Sequence, residues 1–284
     1  MNTVSVNAWR ILMIVVLGMA WFVSSSDAAL LLDYFNTGTV HAKDDFTGYT
    51  VTGAQLAGQG SGLGTGLTGN WAGLSYFITD NSLHNFYTAP PSGYPAVFAD
   101  SAGAGIPYFA SRSLASPLQY GQLTEFIARF SAGMAGDMSA GWALTDASNN
   151  AIAGYTGTFQ KYDYHLLGPN STWSATFAGG GDKSWYTVYL RGVISGGSLT
   201  KLYLYAFPNA STDLDTGWSL SMDVNTTTPI AGVQLRLGDL TTQRSGQAGW
   251  DDFELRTFAA IPEPASGLLL ALGAGLFLKR RARG

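Results

Sequence analysis

Hydrophobic and polar residues alternate with period two through much of the chain. From Ser184 to Ile194 (SWYTVYLRGVI), Tyr186, Val188, Leu190 and Ile194 fall on one face, and Trp185, Thr187, Tyr189 and Arg191 on the other. Leu199 to Phe207 sets Leu202, Leu204 and Ala206 against Lys201, Tyr203, Tyr205 and Phe207, and Pro229 to Gly238 alternates Val233, Leu235 and Leu237 with Gln234 and Arg236. Successive side chains of a strand point to opposite sides, so each run predicts a strand with one face on a core. Leu30 to Phe35, Leu74 to Thr79, Leu123 to Ser131, Ala140 to Thr145 and Trp250 to Phe258 are further strand candidates. Turn chemistry separates the runs and no 3.6-residue period is sustained between them. The pattern predicts an all-β antiparallel sandwich.

Two segments break the alternation. Near the start, Arg10 closes a short basic region, Ile11 to Val23 form an apolar run, and Ser26 and Ala28 place small residues at the −3 and −1 positions of a cut. This is the layout of a secretory signal peptide removed after Ala28, with an uncleaved N-terminal anchor as the alternative. At the other end, Pro262-Glu263-Pro264 makes a stiff turn, Ala265 to Leu278 carry no charge, and Lys279, Arg280, Arg281 and Arg283 crowd the last six residues. The fourteen apolar positions make a helix of roughly 21 Å against a hydrocarbon core of ~30 Å. The basic cluster nevertheless favours a transmembrane helix, because cations beside an apolar segment are held on the cytoplasmic side. The division expected is therefore a signal peptide (1–28), a β-sandwich (29–260) and a membrane tail (261–284).

Composition narrows the chemistry. Only 12% of residues are charged, about half the usual share. The formal charge of −4 becomes more negative once the four tail cations are set aside, which argues against nucleic acid or anionic lipid as partners. No cysteine occurs, so disulfides, thiol catalysis and Cys-ligated zinc are excluded. The three histidines, His41, His84 and His165, are far apart and lack the spacing of a zinc hydrolase.

The C-terminal layout, Pro-Glu-Pro, then an apolar helix, then an Arg-rich end, resembles the PEP-CTERM sorting signal of Gram-negative bacteria. That resemblance implies export, signal peptidase processing, an intermediate anchored in the inner membrane and recognition by exosortase at the turn. Delivery to the cell surface or extracellular matrix would follow, among extracellular polysaccharide. A plain membrane helix that is never cut is the alternative. The body also carries LLLDYFNTG, the Gly-rich segment from Tyr49 to Trp71 (YTVTGAQLAGQGSGLGTGLTGNW) and a closing GWDDFELRTF. Together these resemble secreted laminin-G-like or concanavalin-like jelly rolls, in which the first and last strands lie side by side. The Gly-rich segment itself lacks the Gly-Lys-Ser/Thr of a phosphate loop and reads as backbone reversal at positive φ.

Such folds host lectins and glucanases alike, so the site has to be argued from residues. No Glu-x-Asp-x-x-Glu or Glu-x-Asp-x-Glu run occurs; the nearest approach is Asp251-Asp252-Phe253-Glu254, in which Asp252 and Glu254 would share a strand face. The tripeptide Asp-Asp-Phe appears twice, as Asp44-Asp45-Phe46 and Asp251-Asp252-Phe253. If the terminal strands pair as the resemblance implies, Asp44, Asp45, Asp251 and Asp252 would be placed to supply oxygen ligands to a structural Ca²⁺. No other cofactor is expected. Trp185, Tyr189, Tyr203 and Tyr205, opposite the aliphatic stripe, are the candidate carbohydrate-binding residues, because aromatic rings stack on the apolar faces of sugars. The competing expectation is that a second layer or loop covers them. Taken together, the sequence favours a non-catalytic interaction or polysaccharide-associated domain. A carbohydrate-active hydrolase or lyase and a purely structural matrix protein are the rivals.

Overall fold

The computed structural model describes residues 33–50, 54–73, 78–79, 97–100, 108–136, 139–158, 163–169, 172–176, 184–208, 218–237 and 246–259. The signal-peptide segment, the Pro-Glu-Pro turn and the apolar tail lie outside these residues. No helix among the described residues is long and apolar enough to cross a membrane.

Among the described residues, sixteen strands follow a short helical turn at 33–37. They are β1 (Thr39–Asp44), β2 (Ala54–Gln55), β3 (Leu67–Gly73), β4 (Ile78–Thr79), β5 (Val97–Asp100), β6 (Tyr108–Leu118), β7 (Leu123–Gly136) and β8 (Ser139–Thr145). The second half gives β9 (Ala151–Thr158), β10 (Asp163–Leu167), β11 (Thr172–Thr176), β12 (Ser184–Ser195), β13 (Ser198–Pro208), β14 (Trp218–Thr226), β15 (Ile230–Leu237) and β16 (Gly246–Ala259). One sheet runs β14-β13-β12-β7-β16-β5-β4-β2, with β1 also paired to β16; the other runs β11-β10-β9-β8-β15-β6-β3. The ladders are antiparallel and the two sheets form a jelly-roll β-sandwich. The first and last strands are neighbours, as the jelly-roll resemblance implied: Thr39 to Asp44 pair with Thr257 to Phe253.

The alternation in the sequence sorts the core correctly. Tyr186, Val188 and Leu190 of β12, Leu202 and Leu204 of β13, and Val233, Leu235 and Leu237 of β15 all enter the main core. Phe130 and Phe253 from the first sheet stack on Trp142 of the second, with centroids 5.3 and 5.8 Å away. Two tryptophans tie the layers: Trp142 Nε1 donates to the Ser131 carbonyl at 3.2 Å and Trp250 Nε1 to the Gly141 carbonyl at 2.9 Å. A buried indole N–H needs such a partner, so each ring contributes packing and a fixed cross-sheet register.

One expected strand differs, and another is described only in part. Within Leu30 to Phe35, residues 33–35 are helical rather than extended. The turn closes locally, with the Gly38 N–H on the Phe35 carbonyl and Thr37 Oγ1 on the Tyr34 carbonyl. Its apolar ring, Phe35, is fully buried against the first sheet. Tertiary burial of one ring outweighs the weak strand pattern. Of Leu74 to Thr79, Ile78 and Thr79 form β4 and residues 74–77 lie outside those described.

Candidate functional site

The outer face of the first sheet, turned away from the core, gathers polar and aromatic side chains from five strands. Register fixes their lattice. One row crosses the strands as Tyr205 (β13), Tyr189 (β12), Arg129 (β7), Glu254 (β16) and Lys43 (β1). The next runs Tyr203, Arg191, Ile127, Arg256 and Val40, and a third Lys201, Val193, Glu125 and Phe258. Each side chain has its place because its strand neighbours point inward, as Ala128 and Phe130 do on either side of Arg129.

The helical turn 33–37 lies across part of this face as a strap. Phe35 packs with Ile127, Tyr189 and Phe258 in a second, smaller apolar cluster, and Tyr205 touches its margin. The Phe35 ring meets Tyr189 edge-on at 5.6 Å, and the guanidinium carbons of Arg256 and Arg129 stand 4.9 and 5.5 Å from its centroid. Tyr34 stacks on Phe258 at 4.6 Å and donates its hydroxyl hydrogen to Glu125. Arg256 donates to the carbonyls of Asn36 and Gly38 at 2.8 and 3.1 Å, holding the strap from below.

The strap covers one of the candidate rings, and a second is buried as well. Tyr189 is 2% exposed beneath it, and Trp185 is also 2% exposed. Alternation did send both rings to the face opposite the aliphatic stripe, but these two are covered there. Tyr203 and Tyr205 remain half-buried and stack with centroids 6.3 Å apart at 14°. The Lys201 ammonium and the Arg191 guanidinium lie 5.4 and 5.9 Å from the Tyr203 ring. Of the four aromatics the sequence points to, this pair is the open portion.

The carboxylates on the face are committed to cations. Arg129 Nη2 bridges Asp252 at 2.6 Å and Glu254 at 3.2 Å, Arg256 also holds Glu254, and Glu125 accepts from Arg191 as well as Tyr34. A bulge at Asp251–Phe253, with Asp252 at φ 45°, makes this convergence possible. One extra residue lets both Trp250 and Phe253 point inward while Asp252 stays on the Glu254 side. Burial pushes the Asp252 carboxyl above the ordinary carboxylate range, with Arg129 opposing it.

The expected calcium cluster is not formed. Asp44 points to the other side of β1, where it is fully buried in a salt bridge with Arg112 at 2.8 Å. Asp45 caps the Thr47 N–H at 3.1 Å and faces Lys43, Asp251 accepts the Asp252 N–H at 2.9 Å, and Asp252 is held by Arg129. Pairing the terminal strands brings the two Asp-Asp-Phe motifs together, yet alternation splits the carboxylates between faces and each has its own donor. Among the described residues no group of three His, Asp or Glu side chains is placed to hold a metal ion.

Arg112 was not legible in the sequence. From β6 it donates to Asp44, to the Tyr49 hydroxyl at 3.0 Å, and to the carbonyls of Gly60, Leu63 and Gly69. Tyr49 also donates to Asp44 at 2.6 Å and accepts from Trp71 Nε1 at 3.0 Å. The Gly-rich segment is therefore a loop wound around one buried guanidinium. Its glycines are needed: Gly66 sits at φ 67°, and a Cβ there would lie 1.9 Å from the His41 carbonyl oxygen.

No protein-family model and no curated protein sequence matches the chain. Among solved structures it is similar to the winged bean acidic lectin complexed with methyl-α-D-galactose, at 10% identity and a TM-score of 0.45, over 67% of this chain and 93% of the lectin. It is also similar to the CBM2 module of the evolved Dit of Lactobacillus casei BL23 phage J-1, at 11% identity and a TM-score of 0.48, over 78% and 96% of the two chains. A third similar structure is the PL-14 alginate lyase of Aplysia kurodai, at 9% identity and a TM-score of 0.43, over 66% and 89%.

Proposed function

We propose that this chain is an exported surface protein in which a non-catalytic, polysaccharide-associated β-sandwich precedes a PEP-CTERM-type sorting tail. The observation that carries the binding reading is the division of labour on the outer face of the first sheet. Its carboxylates Glu125, Asp252 and Glu254 each accept from an arginine, while the stacked Tyr203 and Tyr205 keep half-open rings. Glycoside hydrolysis needs one carboxyl as proton donor and a second as base or nucleophile. Carboxylates tied into ion pairs suit neither task, whereas paired tyrosines offer stacking area that tolerates many sugars. Support for sorting comes from the sequence: an apolar N-terminal segment, Pro262-Glu263-Pro264, an apolar tail and Lys279, Arg280, Arg281 and Arg283. In this reading signal peptidase, the export machinery and exosortase are transient partners, and the basic tail stays cytoplasmic until the turn is processed.

One expression experiment tests both parts. In a host with an exosortase, the parent matures to a shorter surface form that is retained on extracellular polysaccharide and generates neither new reducing ends nor unsaturated sugar products. Alanine at positions 262, 263 and 264 leaves a longer, membrane-held form. Depolymerisation by the parent would contradict the binding reading, and normal maturation of the alanine variant would contradict the sorting reading.

A further inference from the structure

Where the strap meets the ends of β7 and β16, a cleft of about 510 Å³ opens to solvent, lined by Tyr34, Thr37, Gly38, Thr39, Thr124, Thr257, Phe258 and Ala259. That volume lies within the ~300–1,000 Å³ of small-molecule sites. Phe258 sits three strands from Tyr203 by register, or roughly 14 Å at the usual strand spacing. The cleft is therefore separate from the tyrosine pair.

Its lining specifies a chemistry. None of these side chains carries a charge at neutral pH, so an ionic ligand would lose hydration without a counter-charge. The Tyr34 phenol, neutral at this pH in any case, is pushed further up to about 12 by burial and the bond to Glu125. Three threonine hydroxyls spend their hydrogens on the backbone: Thr37 on the Tyr34 carbonyl at 2.7 Å, Thr124 on Phe258 at 3.2 Å and Thr257 on Thr39 at 3.5 Å. A hydroxyl that has donated still holds acceptor lone pairs. What these threonines present is acceptors and methyl groups, beside the stacked rings of Tyr34 and Phe258. The complementary ligand is neutral, rich in O–H donors and carries an apolar C–H face.

We infer that this cleft is a second binding site, specific for an uncharged sugar. It goes beyond the reading above, which rests on Tyr203 and Tyr205. Gly38 maintains the opening: a Cβ there would stand 2.6 Å from the Phe258 ring, so a side chain would drive the ring out of its place.

Saturation-transfer NMR on the full chain, held in a sugar-free zwitterionic detergent, tests the inference. The probes are cellotetraose, laminaritetraose, mannotetraose and, as the charged control, tetragalacturonate. At least one neutral tetrasaccharide gives transfer, and Thr39→Trp, which fills the cleft from an exposed position, weakens it by about tenfold or more. The comparison is made in the Tyr203→Ala/Tyr205→Ala background, where the first site cannot contribute, and Gly38→Ala weakens the remaining transfer in the same direction. Transfer unchanged by Thr39→Trp in a variant with the parent's thermal midpoint would overturn the site. So would absence of transfer from every neutral probe, or tighter binding of tetragalacturonate. If the tyrosine variant alone abolishes transfer, binding at the first site stands and the cleft is not a site.

Discussion

Arg112 shows how much one side chain can organise. It is fully buried with Asp44 and donates to three loop carbonyls besides. Truncating one member of a buried ion pair strands the other, at a cost of about 3–5 kcal/mol. Arg112→Met therefore lowers the unfolding free energy measured in urea by that amount and loosens residues 56–69, read as faster amide exchange there. Arg112→Lys does little better, because a point charge cannot reach carbonyls on several sides. Nothing in YFASRSLASPL marks this arginine, since its value comes from a loop over forty residues away. Tyr34 gives a test with pH. Its folded-state pKa is raised from 10.0 to about 12 by burial and then by Glu125, so its contribution to stability is complete below pH 10 and is lost as pH rises through about 12. An ultraviolet titration of the parent minus that of Tyr34→Phe yields one phenol with a midpoint near 12. A difference midpoint at the free-tyrosine value would mean the strap does not hold this ring.

Among the elements, β12 and β13 were legible almost residue for residue, because strict alternation leaves one solution for which face meets the core. Alternation says nothing about what lies on the opposite face. The strap is built from the same LLLDYFNTG stretch that reads as a strand, and its covering of Tyr189 depends on Arg256 and Glu125, both far away in sequence. The paired acids of β16 were likewise placed on one face, but the bulge that gathers them around Arg129 has no local signature. If Phe35 is the ring that fixes the strap, Phe35→Ala releases 33–37 at a cost of about 3–5 kcal/mol. Hydrogen exchange rises over the strap and the facing parts of β7 and β12, while the cross-sheet ties of Trp142 and Trp250 stay protected. Uniform loosening of both sheets would show that the strap is part of the core rather than a cover on it.

At the scale of the whole molecule, a β-sandwich core built around stacked aromatics supports one outer face on which charges are paired and two tyrosines are left half-open. Sequence reached the fold class and the adjacency of the first and last strands; it placed the candidate rings on the correct side without revealing which were covered. A single half-buried ring contributes on the order of 1 kcal/mol to a sugar complex, so the pair gives shallow binding that depends on an extended polymer rather than a single unit. Affinity electrophoresis of the full chain through gels containing extracellular polysaccharide measures that binding most directly. The parent is retarded, and Tyr203→Ala/Tyr205→Ala loses about tenfold or more of that affinity with its thermal midpoint within a few degrees of the parent. Equal retardation of parent and variant, or no retardation of the parent on any polysaccharide, would contradict binding by the tyrosine pair.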